Sequence, residues 1–178
     1  IAAGWNHAGV IQQSGDITVF GYTAFNLEDN IPITTENAWV TIKAGDYSLC
    51  AIDGLDKLHC WGDSDAEHIT SSPTTAGWVD VALGSDHICA VHGDGSILCW
   101  GDNGANQADV PGPGNDEPFS DWISIEAMLY QNCGLRATGE LHCWGTSDDP
   151  HGFANIPTDE GIEKTWSRFG VGYYHVCA

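Results

Sequence analysis

The sequence predicts an all-β chain folded as a β-propeller of four-stranded blades, and three observations support this prediction. A segment with paired cysteines followed by Trp-Gly recurs at 48–62, 87–101 and 131–145, the second copy reading "HICAVHGDGSILCWG". Composition leans to β structure, with 22 glycines and 8 tryptophans. Repeats of about 40 residues built of short β runs are typical of propellers and β solenoids, and about 40–45 residues suit a four-stranded blade. The third observation is the spacing of equivalent positions, which lie 41, 39, 44 and 44 residues apart at Gly9, Cys50, Cys89, Cys133 and Cys177.

Two further copies extend the repeat to both ends of the sequence. "HAGVIQQSGDITVFG" at 7–21 aligns without gaps, with Gly9 and Val19 in the cysteine positions, and "GVGYYHVCA" at 170–178 matches the start of a copy. We therefore expect one repeat domain over 1–178 that is a fragment of a longer chain. Its four full repeats and the start of a fifth lie at about 1–41, 42–80, 81–124, 125–168 and 169–178.

Three strands can be placed in each copy, and the variable stretch "NQADVP" could supply a short outer strand. In the third copy these strands are "WVDVAL", "HICAV" and "SILCW". Pairing Cys89 with Cys99 leaves a loop of Gly93, Asp94 and Gly95. The third residue of such a loop needs a left-handed backbone, which glycine adopts freely and aspartate tolerates. The same register predicts hairpin turns with Gly15, Asp56, Gly95 and Gly139 at this position.

Six of the seven cysteines fall into three pairs that would face each other across a hairpin. Residues directly opposite on antiparallel strands are close enough for a disulfide, and the first copy lacks both cysteines together. Disulfides indicate an oxidising compartment, so we expect a secreted or cell-surface protein. Cys177 is unpaired here, and its partner would stand about ten positions further along. The predicted pairs are Cys50 with Cys60, Cys89 with Cys99, and Cys133 with Cys143.

Histidines and tryptophans also recur once per copy, which favours structural roles. His7, His87 and His175 stand two positions before the cysteine position, dispersed along the chain rather than grouped as zinc ligands. One tryptophan opens each following copy and another follows the second cysteine, and we expect both series to pack between blades. Trp5 lies outside both series and is a candidate for a contact surface. The two series are Trp39, Trp78, Trp122 and Trp166, and Trp61, Trp100 and Trp144.

The net charge of the chain argues against one class of partner. The 5 Lys and Arg residues against 25 Asp and Glu give a net charge of -20, which opposes binding to nucleic acid. No apolar run is long enough to predict a membrane span.

The sequence offers little evidence of a cofactor or a catalytic site. Asp63, Asp65 and Glu67 alternate like the first ligands of a calcium loop, but the later ligands of that loop are missing. Calcium is therefore a minor hypothesis, and no cofactor is expected. No nucleophile with a companion base is present, so we predict no catalytic residue and no enzyme activity.

The repeat itself resembles a known family. An apolar run, "LG", His two positions before Cys, a "DG" turn, "CWG" and "DNGANQ" are similar to the regulator of chromosome condensation repeat in its short, secreted form. The resemblance implies a propeller of four-stranded blades, commonly about seven to a ring, that is used as a binding platform. Function lies in what is grafted onto such a scaffold, and a binding module would carry it in the blade loops. We therefore expect a module for protein binding or structural assembly. The alternatives are a subunit of an extracellular filament or array, and a propeller that caps or regulates an enzyme.

Overall fold

The computed structural model describes residues 1–22, 27–33, 38–63, 66–113, 118–145, 165–172 and 175–178, and these residues form an all-β propeller. The single helix among them, α1, spans Glu67–Thr70. None of the described helices is long and apolar enough to cross a membrane. The strands are β1 Ala2–Ala3, β2 His7–Ile11, β3 Ile17–Gly21, β4 Trp39–Ala44, β5 Ser48–Asp53, β6 Leu58–Gly62, β7 Trp78–Leu83, β8 His87–His92, β9 Ile97–Gly101, β10 Trp122–Met128, β11 Gln131–Arg136, β12 Leu141–Gly145, β13 Gly170–Gly172 and β14 His175–Cys177.

Each full blade is an antiparallel sheet of three strands in chain order, β1-β2-β3, β4-β5-β6, β7-β8-β9 and β10-β11-β12, and β13 pairs with β14. The predicted fourth, outer strand is absent from the described residues. In particular, "NQADVP" is not a strand. Asp102 and Asn103 accept hydrogen bonds from the backbone N–H groups of Gly104 and Ala108, at 3.1 and 2.8 Å. Such local bonds compete with an extended ladder and fold this stretch into turns instead.

The register of the second and third strands follows the cysteines. Cys50 faces Cys60, Cys89 faces Cys99 and Cys133 faces Cys143, while Gly9 faces Val19 in the first blade. Every first strand that begins with tryptophan carries a β-bulge at its second residue. The bulged residues Val40, Val79 and Ile123 are 65%, 50% and 53% exposed.

The hydrophobic cores lie between neighbouring blades rather than within one. In the third core, Cys89 and Ile97 of one blade pack against Trp122 and Ile125 of the next. The other three cores repeat this arrangement, so each disulfide faces the tryptophan that opens the following blade. Because a single blade has no core of its own, its stability depends on its neighbours.

Tryptophan and the hairpin turns also form polar links between blades. The indole N–H groups of Trp61, Trp100 and Trp144 donate to carbonyl oxygens of the preceding blade's connecting segment, at 2.9, 2.7 and 3.1 Å. The left-handed residue of each hairpin accepts a bond from the backbone N–H of the tryptophan that opens the next blade. These pairs are Gly15 with Trp39, Asp56 with Trp78, Gly95 with Trp122 and Gly139 with Trp166.

The first strands of the blades converge on a common axis. Lys43 of β4 reaches Glu126 of β10 with 2.6 Å between Nζ and Oε1, although a whole blade separates these strands along the chain. Asp80 of the intervening strand β7 lies 3.8 Å from the same ammonium group. A side chain can span alternate blades in this way only where their first strands face one axis.

Candidate functional site: a cavity at the propeller axis

The turns between first and second strands lie at one end of the axis and form a surface that we call the axial face. Three of these turns close in the same way, since the backbone N–H of Gly4, Gly45 and Gly84 each donates to the carbonyl three residues later, at 2.9 Å. The hairpins between second and third strands lie at the opposite end, the hairpin face. The axial face consists of Trp5, Asn6, Asp46, Tyr47, Ser85, Asp86, Leu129 and Tyr130.

A cavity of about 370 Å³ opens at the centre of the axial face. Its walls are the last residues of β1, β4, β7 and β10 and the turn residues that follow them, so all four blades contribute. Small or apolar residues such as Ala44, Leu83 and Met128 form most of the wall, and Trp5 and Asp46 stand among them. An apolar pocket with a few polar groups is the usual form of a ligand site.

Trp5 lines this cavity, and further exposed aromatic residues lie on or beside the axial face. Trp5 is 66% exposed, and its ring centroid lies 5.8 Å from that of Tyr47 with a tilt of 48°. Tyr47 and Tyr130 are 39% and 44% exposed. Tyr22 is 65% exposed beside the same face, where its backbone N–H donates to the Asn6 carbonyl at 2.7 Å. Aromatic residues left in water at a pocket rim are typical of binding surfaces.

Charge at the axial face is acidic. Asp46 is half-buried in the cavity wall, where its Oδ2 accepts a hydrogen bond from Ser85 Oγ at 2.7 Å. Asp86 is exposed on the neighbouring turn. The nearby cation Lys43 is held by Glu126 and Asp80, so its charge is offset within the axis.

The recurring histidines support the turns from below. His87 is fully buried, and Cβ on Gly84 would lie 2.1 Å from its Cε1, so the turn can pass over the ring only with glycine there. Asn132 donates its Nδ2 to the Gln107 carbonyl at 2.8 Å and presents Oδ1 to His87 Nε2, also at 2.8 Å. The Nε2 atom therefore carries the proton. Burial lowers the pKa of His87, opposed by this hydrogen bond, so the neutral form is favoured.

His7 occupies the same place in the first blade. Its Nε2 lies 3.3 Å from the Ser48 carbonyl of the second blade. Burial lowers its pKa, while that hydrogen bond and the charge of Asp46 act in the opposite direction. Both rings therefore link one blade to the next as neutral groups. His175, the third member of the series, is exposed.

All six paired cysteines form disulfides with the predicted partners: Cys50–Cys60, Cys89–Cys99 and Cys133–Cys143. Cys177 is a free, exposed thiol. The disulfides lie within the blades, away from the cavity wall, and hold hairpins rather than ligand.

Two of the three calcium candidates, Asp63 and Glu67, lie in the described part of the chain. Glu67 begins α1, and the Asp63 carbonyl accepts a bond from the backbone N–H of Ala66 at 3.1 Å, while Asp65 lies outside the described residues. In the part of the chain that the structure describes, no group of three or more His, Cys, Asp or Glu side chains could hold a metal ion.

Sequence reasoning found Trp5 but missed the rest of the site. Asp46, Tyr47, Ser85 and Tyr130 occupy the short gap between the end of a first strand and the start of the second, where the copies differ in residue type. The signal was available in their position: equivalent turns of a propeller meet at one end of the axis, so variable residues there share a surface.

The comparisons with known proteins agree with this architecture. Residues 78–107 match the family model of the regulator of chromosome condensation (RCC1) repeat. The other full copies share its strand register and closing glycine, and two of them also share its cysteine pair and Trp-Gly. The chain is built from RCC1-like repeats. No curated protein matches it in sequence.

Solved structures show the fold of these RCC1-like repeats at larger size. The ectodomain of the Physcomitrella patens receptor kinase CR4 is 24% identical with a TM-score of 0.70, over 98% of this chain and 45% of that one. The CRINKLY WD40 ectodomain of the Arabidopsis thaliana receptor kinase ACR4 is 22% identical with a TM-score of 0.69, over 98% and 58%. Prp20p from Saccharomyces cerevisiae, described with its binding to Gsp1p and histones, is 17% identical with a TM-score of 0.66, over 89% and 45%. The RCC1-like chain thus spans about half the length of these structures.

Proposed function

We propose that the chain is a non-enzymatic binding module of a secreted or cell-surface protein and that it holds a protein partner on its axial face. The observation that carries this proposal is the group of exposed aromatic residues on the axial face, led by Trp5 at 66% exposure, which lines a cavity of about 370 Å³. Tryptophan and tyrosine dominate the binding energy of protein interfaces because they bury large area at low entropic cost.

Two observations support an extracellular setting. The three disulfides persist in oxidising compartments and are rare in the cytosol. Two of the similar structures are receptor-kinase ectodomains. Nucleic acid is not the partner that we propose, because a net charge of -20 repels phosphate. The non-catalytic role rests on the sequence, which offers no nucleophile with a companion base.

The proposal is tested by affinity capture from extracellular and membrane fractions of the source organism. The bait is the chain with its disulfides formed, compared with a Trp5→Ser/Tyr47→Ser variant. A Val79→Ser/Ile123→Ser variant is the matched control, because it also removes two exposed apolar side chains but at the hairpin face.

We expect at least one protein to be retained by the parent and the control and lost from the axial-face variant. Retention of this chain itself by the same criterion would identify self-assembly as the function. A set of captured proteins identical for all three baits would overturn the proposal.

A further inference from the structure

The geometry points to the chemistry of the group that enters the axial cavity, an inference that rests on the proposed function. We propose that this cavity binds a cationic side chain, arginine or lysine, from a basic segment of the partner. The groups that would recognise it are the Asp46 carboxylate in the wall and the Trp5 and Tyr47 rings at the rim.

The size of the cavity suits one side chain. Its volume of about 370 Å³ lies at the lower end of the range of about 300–1,000 Å³ that is usual for small-molecule pockets. A long side chain can reach into such a space from a partner that rests on the rim. A helix or strand is too wide to enter it.

The carboxylate of Asp46 determines that the group bound in the cavity should be positively charged. It is the one ionisable side chain among the described residues that line the cavity, and its Oδ2 is held in place by Ser85 Oγ at 2.7 Å. An apolar group in the cavity would cover this half-buried carboxylate and leave its charge unpaired, which is costly. A guanidinium or ammonium group would satisfy it instead.

The aromatic rim favours the same ligand. A cation within about 6 Å of a tryptophan or tyrosine ring is attracted by the ring's face. Trp5 lines the same cavity as Asp46, and its ring centroid lies 5.8 Å from that of Tyr47, the residue that follows Asp46, with a tilt of 48°. The aliphatic stem of arginine or lysine would meanwhile lie against the apolar wall.

The described residues that line the cavity do not supply this cation. Lys43 lies just below the cavity, but its ammonium group is 2.6 Å from Glu126 Oε1 and 3.8 Å from Asp80 Oδ1. No lysine or arginine occurs among the described residues that line the cavity. The net charge of -20 would also draw a basic segment toward the surface and speed its encounter.

The test uses blocked pentapeptides with a central arginine, lysine, glutamine or glutamate between glycine and serine residues. They are titrated into the disulfide-bonded chain while the indole N–H signal of Trp5, assigned with a Trp5→Phe variant, is followed by NMR. We expect weak, saturable binding of the arginine and lysine peptides that moves the Trp5 signal. The glutamine peptide should bind about tenfold or more weakly, since it lacks the charge.

Two isosteric variants distinguish binding at the axial cavity from general electrostatic attraction to the acidic chain. Asp46→Asn should weaken binding of the arginine peptide about tenfold or more. Asp94→Asn removes the same charge from the hairpin face and should leave the affinity unchanged. Equal binding of the arginine and glutamine peptides would overturn the inference. So would an Asp94→Asn effect as large as that of Asp46→Asn.

This outcome can be told apart from failure of the proposed function. If a captured partner depends on Trp5 and Tyr47 and yet binds the Asp46→Asn variant as well as the parent, the axial face remains the binding surface. Only the inference of a cationic ligand would then be overturned. If the arginine peptide binds in the cavity but no captured protein depends on the axial face, the cationic site stands and the proposed function fails.

Discussion

Buried polar residues at the boundaries between blades carry specific roles. His87, Asn132 and the Gln107 carbonyl form a chain of hydrogen bonds that joins the third and fourth blades, with both bonds at 2.8 Å. The network is complete only while His87 is neutral, because its Nδ1 has no hydrogen-bond partner among the described residues and faces Gly84. A second ring proton would therefore be buried without an acceptor.

This arrangement makes stability depend on pH. Burial lowers the pKa of His87, an effect reinforced by the charge of His68 and opposed by Asn132, Asp102 and Asp86. The unfolded chain then takes up the proton more readily than the folded chain, so stability is present above the unfolded pKa of about 6.5 and is lost as the pH falls. His7 and His68, whose pKa values are also lowered by burial, act in the same direction.

We expect the free energy of unfolding to fall between about pH 7 and pH 5 and to fall less steeply in a His87→Gln variant. Urea unfolding followed by tryptophan fluorescence measures both slopes. Between about pH 7 and pH 8 the parent and the variant should show the same slope, which serves as the control. Equal slopes below pH 6.5 would contradict the role of His87.

At the scale of the elements, the hairpin turns are constrained by backbone conformation and by the next blade. Gly15, Gly95 and Gly139 have φ values of +90°, +87° and +87°, and Asp56 has φ of +58°. Cβ on Gly95 would also lie 2.4 Å from the Ser120 carbonyl oxygen of the segment that leads to Trp122. The turn glycine therefore permits both the hairpin and its hydrogen bond to the following blade.

Gly95→Ala should lower the free energy of unfolding by about 1–3 kcal/mol, since it adds strain at a left-handed residue and a steric overlap. Asp56→Gly at the equivalent turn is the control and should change stability by less than about 1 kcal/mol. Denaturant unfolding at one pH compares the three proteins. If Gly95→Ala leaves the free energy of unfolding unchanged, the turn accommodates the added methyl group without strain, which contradicts this prediction.

The hairpin disulfides should also contribute measurably. Replacing Cys89 and Cys99 together with alanine opens a short covalent loop and should cost about 2–3 kcal/mol of unfolding free energy. Cys177→Ala removes an exposed thiol that has no disulfide and should change stability by less than about 0.5 kcal/mol. If the double variant is as stable as Cys177→Ala, the disulfide does not stabilise its blade. The hairpin would then hold without a disulfide, as it does in the first blade, which has Gly9 and Val19 at these positions.

At the scale of the whole molecule, repetition explains why so much of the fold could be predicted. One alignment of the copies gave the strand register, the cysteine pairs and the left-handed turn residues, because each copy solves the same packing problem. The suggestion that "NQADVP" forms an outer strand was wrong because Asp102 and Asn103 bond locally, which a pattern of apolar residues does not reveal. The axial cavity could not be derived from one repeat, because its wall is assembled from four blades.

The molecule therefore has two ends of different character. The axial face combines aromatic rings, Asp46 and a cavity, while the hairpin face presents turns and the bulged residues Val79 and Ile123 above a shallow groove. The pocket at the axial face is lined by residues of every full blade. Binding should accordingly change the environment of several blades at once, at one end of the axis.

Hydrogen–deuterium exchange of the chain, alone and bound to its captured partner, shows which end of the axis holds the partner. Binding at the axial face should slow exchange in the turns around Trp5, Asp46 and Leu129 and leave the hairpins at Gly95 and Gly139 unchanged. Protection confined to the hairpin face, with the axial turns exchanging as in the free chain, would contradict it.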